Sequence, residues 1–94
     1  MVFEWDERKN RRNRAKHHVS FEAATLVFED PHAISVPDRV EGGEERWQTL
    51  GMAGGIVVLL VAHTSREERG EEHIRMISAR KATPRERKNY EESL

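Results

Sequence analysis

The run IVVLLVAHT, residues 56–64, constrains this chain more than any other stretch. It is continuously apolar as far as Ala62 and rich in β-branched residues. A membrane span needs about 20 apolar residues, so this run is strand-sized. A continuous apolar, β-branched run of this length reads as the central strand of a sheet. The rest of the chain must supply its neighbours and its covering layers.

The flanking segments can be read in that light. VFEW (2–5) is short and aromatic, as an edge strand would be. Asp6 caps ERKNRRNRAKH, a helix with almost no apolar stripe and therefore mostly exposed. Ser20 caps a second helix, FEAATLVFE, whose Phe21, Ala24, Leu26 or Val27, and Phe28 offer a buried face until Asp30-Pro31 stops it. His32–Val36 is expected as a short strand, and PDRVEGGEE (37–45) as a loop. Arg46–Met52 alternates, with Trp47 and Thr49 on one face and Leu50 and Met52 on the other. Ala53-Gly54-Gly55 turns it tightly into the central strand. SREERGEE (65–72) reads as a polar hairpin loop, and His73–Arg80 as the last strand, with Arg75 on the face opposite Ile74 and Met76. Thr83-Pro84-Arg85-Glu86 supplies an N-cap, a proline at the first helical position and a capping box, so a closing helix runs to about Glu92. The expected class is α+β: one domain over residues 1–94, a three- to four-stranded antiparallel sheet, two N-terminal helices and one C-terminal helix.

Charge is the informative part of the composition. The formal net charge is −1. Residues 1–19 hold six basic and three acidic side chains, net +3; residues 20–72 hold four and eleven, net −7; residues 73–94 hold six and three, net +3. Two basic ends flank an acidic middle, and if they meet in the fold they form one positive patch for a polyanion, RNA being the expected one. The absence of cysteine excludes disulfides, thiolate zinc sites and cysteine nucleophiles. The histidines lack metal-ligand spacing, no phosphate-loop glycine motif exists, and MVFEWDERK lacks the apolar core of a signal peptide. A soluble cytoplasmic protein without a membrane partner is the expectation.

Three blocks carry a family resemblance. They are FEWDERKNRRNRAKHHVSFEAA, GEERW (43–47) followed by the apolar strand ending in His63-Thr64, and ISARKATPRERKNYEE. Within the first, Phe3, Glu4, Trp5, Asp6, Lys9, Asn13, Lys16, His17, Val19, Ser20, Phe21 and Glu22 match the pattern. In this order the blocks resemble the BrnT toxins of type II toxin–antitoxin pairs over nearly the whole chain. One departure is His18, where the family usually has glycine; a left-handed histidine costs on the order of 1 kcal/mol.

The resemblance implies a RelE-like ribonuclease fold and a metal-independent endoribonuclease without cofactor. It also implies an RNA substrate and a BrnA-like antitoxin, with two toxins and two antitoxins per complex and operator DNA bound only through the antitoxin. In such an enzyme the RNA's 2′-hydroxyl attacks the adjacent phosphate, arginines stabilise the developing charge and other groups move protons. The catalytic candidates are Arg80, Lys81, His63, Arg66 and Tyr90; the RNA-binding candidates are Arg75, Arg87, Lys16 and His17. Each has a plainer reading. Arg80 and Lys81 could be a solvated strand end, Arg75 a cross-strand ion pair, Arg66 a loop charge and His63 a hydrogen-bonded structural residue. Tyr90 could pack its ring on the sheet, and His17 could cap helix carbonyls. Lys9 and Asn13 share helical spacing with Lys16 and His17 and could extend the groove or form a solvated face. A non-catalytic binding module using the same patch is the alternative function.

Overall fold

The computed structural model describes all residues, 1–94. The elements in chain order are β1 (Val2–Glu4), α1 (Glu7–His17), α2 (Phe21–Ala24) continued by a 3₁₀ turn (Thr25–Glu29), β2 (Ile34–Glu41), β3 (Glu44–Ala53), β4 (Val57–Glu68), β5 (Glu71–Lys81) and α3 (Pro84–Glu92). One five-stranded sheet forms in the order β1-β5-β4-β3-β2, with β4 at its centre. The β2, β3, β4 and β5 neighbours are antiparallel, and β1 runs parallel to β5.

The α+β class stands, but the sheet is larger than the expected three or four antiparallel strands, and it is mixed. The count and the mixed character come from β1, which joins the edge parallel to β5. The other strands are longer than expected because two segments expected as loops extend them. PDRVEGGEE contributes half of a hairpin, because Gly42 and Gly43 both take positive φ (58° and 80°) and turn the chain in two residues. SREERGEE does the same through Arg69 and Gly70, at φ 53° and 79°. Polar flanks hid these strand ends, since edge and solvent-side residues need no apolar pattern. Pro37 falls at the irregularity between Pro37 and Arg39, where an outer strand tolerates proline.

The helical signals are realised in detail. Asp6 accepts a hydrogen bond from the Arg8 N–H at 2.8 Å, and Ser20 from the Ala23 N–H at 3.0 Å. Thr83 Oγ1 accepts from Glu86 N–H while the Glu86 carboxylate accepts from Thr83 N–H, closing the capping box.

Two cores form, one on each face of the sheet. On one face α1, α2 and the 3₁₀ turn cover Val19, Phe21, Ala24, Val27, Leu59, Val61, Ile74, Met76 and Ala79, with Phe3, Trp5 and Phe28 packed around them. Val27, not Leu26, turns inward. Asn13, expected along a groove, is buried here. Its amide donates to the Val19 and Ala79 carbonyls and accepts from Ala79 N–H, tying α1 to β5. On the other face α3 covers only one end, placing Tyr90 and Ala82 over Leu50, Met52, Val58 and Leu60. The remainder of that face has no covering element.

Candidate nucleic-acid interface

Strand alternation and register decide which side chains occupy the uncovered face, because residues directly opposite one another on antiparallel strands point the same way. One row reads Arg46–Thr64–Arg75 across β3, β4 and β5, the next Gln48–Ala62–Ser78, and the third Leu50–Leu60–Arg80 at the margin of α3. The rows of Arg75 and Arg80 are four residue pairs apart along β4, about 13 Å at strand rise. Arg66 and His73 pair beyond the first row, and Glu4 of β1 lies beside Arg75. A β-bulge between Ala62 and His63 lets Ile77 drop out of register, so Arg75 and Arg80 share a face although five residues apart.

Each guanidinium here already has a carboxylate. Arg80 donates twice to Glu86, at 2.8 and 3.1 Å. The arginine's hydrogen bond, opposed by burial and helped by the cap at Thr83, pushes the Glu86 carboxyl down to about 2. The same bond holds Arg80 more firmly charged. Arg66 bonds Glu4 at 2.6 Å and Glu68 at 3.3 Å, which raises the Arg66 pKa and lowers that of Glu4. Arg75 bonds Glu44. Arg46 lies 3.7 Å from Glu41, and its buried Nε has no hydrogen-bond partner. The exposed Arg66–Glu4 and Arg75–Glu44 pairs contribute roughly 0–1 kcal/mol each, so a phosphate can replace either carboxylate at little expense, whereas the part-buried, two-bond Arg80–Glu86 pair is held more firmly. The array orients fork-shaped donors on an open surface.

The structure brings Arg66, Arg75 and Arg80 together on this face, with exposed Arg87 on the adjoining α3. It does not bring the other candidates there. Lys81 follows Arg80 in the strand and so points to the opposite, helix-covered face, in register with Leu59. Lys16 and His17 close α1 on that same side. The basic ends therefore do not form one patch: the N-terminal cations and Lys81 lie on the helix-covered side, and Arg75 and Arg80 on the open face. His63 is buried against Phe28, with ring centroids 4.9 Å apart. Its Nε2 bonds Thr49 Oγ1 at 2.7 Å and its Nδ1 the Thr64 carbonyl at 3.0 Å, while burial lowers its pKa and keeps it neutral. Tyr90 is buried, and its hydroxyl donates to Asp30, which pushes it up to about 12. Both side chains are buried and engaged in internal hydrogen bonds, away from the open face.

Two residues on this face escaped the sequence reading. The sequence pattern puts Arg46 in its strand but not in the site, and offers His73 only as a histidine without metal-ligand spacing. The signal was register: His73 and Arg75 are two apart on one strand, and Arg46 lies two strands across from Arg75. His73 Nδ1 is buried without a hydrogen-bond partner, and Glu4 feels the charge of both His73 and Arg75.

Fold and face define a class: a small α+β domain that covers one side of its sheet with helices and leaves an arginine-lined patch on the other, suited to an anionic chain. The particular family follows from comparison. The family model described as ribonuclease toxin, BrnT, of type II toxin–antitoxin system matches residues 5–86, and the chain belongs to that family. The crystal structure of the Brucella abortus ribonuclease toxin BrnT superposes with a TM-score of 0.66 at 24% identity, covering 88% of this chain and 99% of that one. At that identity the likeness establishes a shared fold. No curated protein matches the chain in sequence. No helix is long and apolar enough to cross a membrane.

Proposed function

We propose that this toxin-family ribonuclease is a metal-independent endoribonuclease of one domain, residues 1–94, acting in the cytoplasm to cut RNA and so inhibit translation. A BrnA-like antitoxin neutralises it in a two-plus-two complex that reaches operator DNA through the antitoxin. The observation that carries the catalytic part is the row arrangement of Arg46, Arg75 and Arg80 on the uncovered face.

In this reading the RNA backbone lies across the arginine rows. Arg75 and Arg80 hold the reacting phosphate and a neighbouring one, Arg66 and Arg87 extend the cationic track, and Arg46 backs Arg75. The 2′-oxygen loses its proton and bonds to phosphorus, the bond to the 5′-oxygen breaks, and that oxygen takes up a proton. Products are a 2′,3′-cyclic phosphate and a 5′-hydroxyl. Charge growing on the phosphoryl oxygens is met by guanidinium donors already oriented by their carboxylates. His73 is the histidine that shares this face, and imidazole suits proton transfer near neutral pH.

Purified protein incubated with RNA in EDTA should yield fragments ending in cyclic phosphate. Intact RNA, or a strict requirement for Mg²⁺, contradicts the reading. One observation favours a non-catalytic binding module: every arginine of the face is already neutralised by a carboxylate. Arg80→Ala separates the two. In the module it weakens affinity and flattens the salt slope by about one unit. In the enzyme it lowers turnover more than affinity.

A further inference from the structure

The cations on the helix-covered side differ from those just described. Arg11, Arg14 and Lys81 make no ion pair; Glu22, which lines the same groove, feels the charge of Arg14 but accepts its hydrogen bond from the Asn10 amide instead, at 2.7 Å. They rim an open groove of about 1110 Å³ between α1–α2 and the turn joining β3 to β4. The wall is aliphatic: Leu59 is buried at its base, Leu26 is 39% exposed, and Ile56 is 87% exposed at the turn. No Phe, Trp or Tyr lines it.

This is half of an interface. Exposed aliphatic surface beside unpaired cations is complemented by a ligand with aliphatic groups and carboxylates. Single-stranded nucleic acid supplies phosphates for the cations but no aliphatic groups to cover Leu26 and Ile56. The volume exceeds that of a typical small-molecule pocket and suits a length of polypeptide.

We infer that this groove anchors the protein partner of the toxin–antitoxin pair, through an acidic segment whose aliphatic side chains cover Ile56 and Leu26 and whose carboxylates meet Arg11, Arg14 and Lys81. The existence of a partner rests on the family; its place here rests on the groove. The site lies across the sheet from the arginine rows, so anchoring and neutralisation are separate events. The anchored segment holds the partner, and the block on the RNA face comes from parts of the partner beyond it.

The test titrates the antitoxin encoded with this toxin against full-length toxin variants. Arg11 and Ile56 are exposed, and thermal melts of Arg11→Glu and Ile56→Asp confirm folding. Each should weaken the complex about ten-fold and Arg11→Glu should also reduce its salt dependence, whereas Arg75→Glu on the far face should leave affinity within about two-fold. Wild-type affinity in both groove variants overturns the proposal, as does loss of the complex in Arg75→Glu. Weaker binding of a fluorescent RNA oligonucleotide to the groove variants, with antitoxin binding intact, assigns the groove to nucleic acid and overturns it equally. RNA cleavage by the free variants is measured alongside. Absence of cleavage in wild-type toxin refutes the ribonuclease reading while the docking result stands.

Discussion

The hydroxyl of Tyr90 meets an Asp30 carboxylate that also accepts from the backbone N–H groups of Met52 (2.8 Å) and His32 (2.9 Å). Burial would raise the pKa of Asp30, but these donors outweigh it and lower it. Tyr90→Phe therefore leaves a carboxylate short of one donor and should destabilise the fold by about 1–3 kcal/mol with kcat unchanged, read by denaturant melts and RNA cleavage. A catalytic tyrosine would show the reverse. The pH signs follow from the folded values. Tyr90 binds its proton more tightly when folded, so its contribution is complete below about pH 10 and fades as pH rises toward about 12. Glu86 is depressed to about 2, so its contribution is complete above about pH 4.5 and fades as pH falls toward about 2. Arg80→Ala should raise the acid-unfolding midpoint, because it removes the largest cause of that depression. An unchanged midpoint would mean that the capping hydrogen bond alone sets it.

At the scale of elements, local chemistry was legible wherever it is short-range. Asp6, Ser20 and Thr83 each cap the helix expected of them, and α3 begins and ends where its signals place it. The N-terminal block that carries the family resemblance proves to be a folding signature: Phe3 and Trp5 pack beneath the helices, Asn13 ties α1 to β5, and Asn10 accepts from Phe21 N–H while donating to Glu22. The loops were misread because the positive-φ turn at Arg69-Gly70 contains only one glycine, and charged residues continue the strands on both sides. His18 does adopt the left-handed conformation, at φ 61° and ψ 28°, with its N–H bonded to the Arg14 carbonyl. His18→Gly should stabilise the protein by about 1 kcal/mol and raise Tm by about 4–8 °C, measured calorimetrically. Gly51 works the other way. A Cβ there would stand 2.8 Å from Val27 Cγ1 and 3.1 Å from Ala33 Cβ, and Val27 is fully buried. Gly51→Ala should destabilise by about 1–3 kcal/mol, since the 3₁₀ turn must shift off β3. No loss of stability would show that this contact yields freely.

For the whole molecule, the sheet is a partition. Sequence order brings six basic residues into each terminal segment but carries no information about which side of a sheet each will occupy. That depends on the crossing of β1 to the edge of β5 and on the single-residue bulge near Ile77, both long-range outcomes of packing. Composition thus revealed the charge and its polarity along the chain, while register divided it into an arginine array and a separate aliphatic groove with free cations. On the proposed reading RNA meets the arginine rows, and the partner's anchoring segment meets the cations of the groove. The measurement that tests this most directly uses a non-cleavable all-2′-deoxy oligonucleotide and NMR of the arginine Nε–Hε groups. The account predicts that Arg46, Arg75 and Arg80 shift on binding while Arg11 and Arg14 do not. Shifts confined to Arg11 and Arg14, with the open face silent, would contradict it.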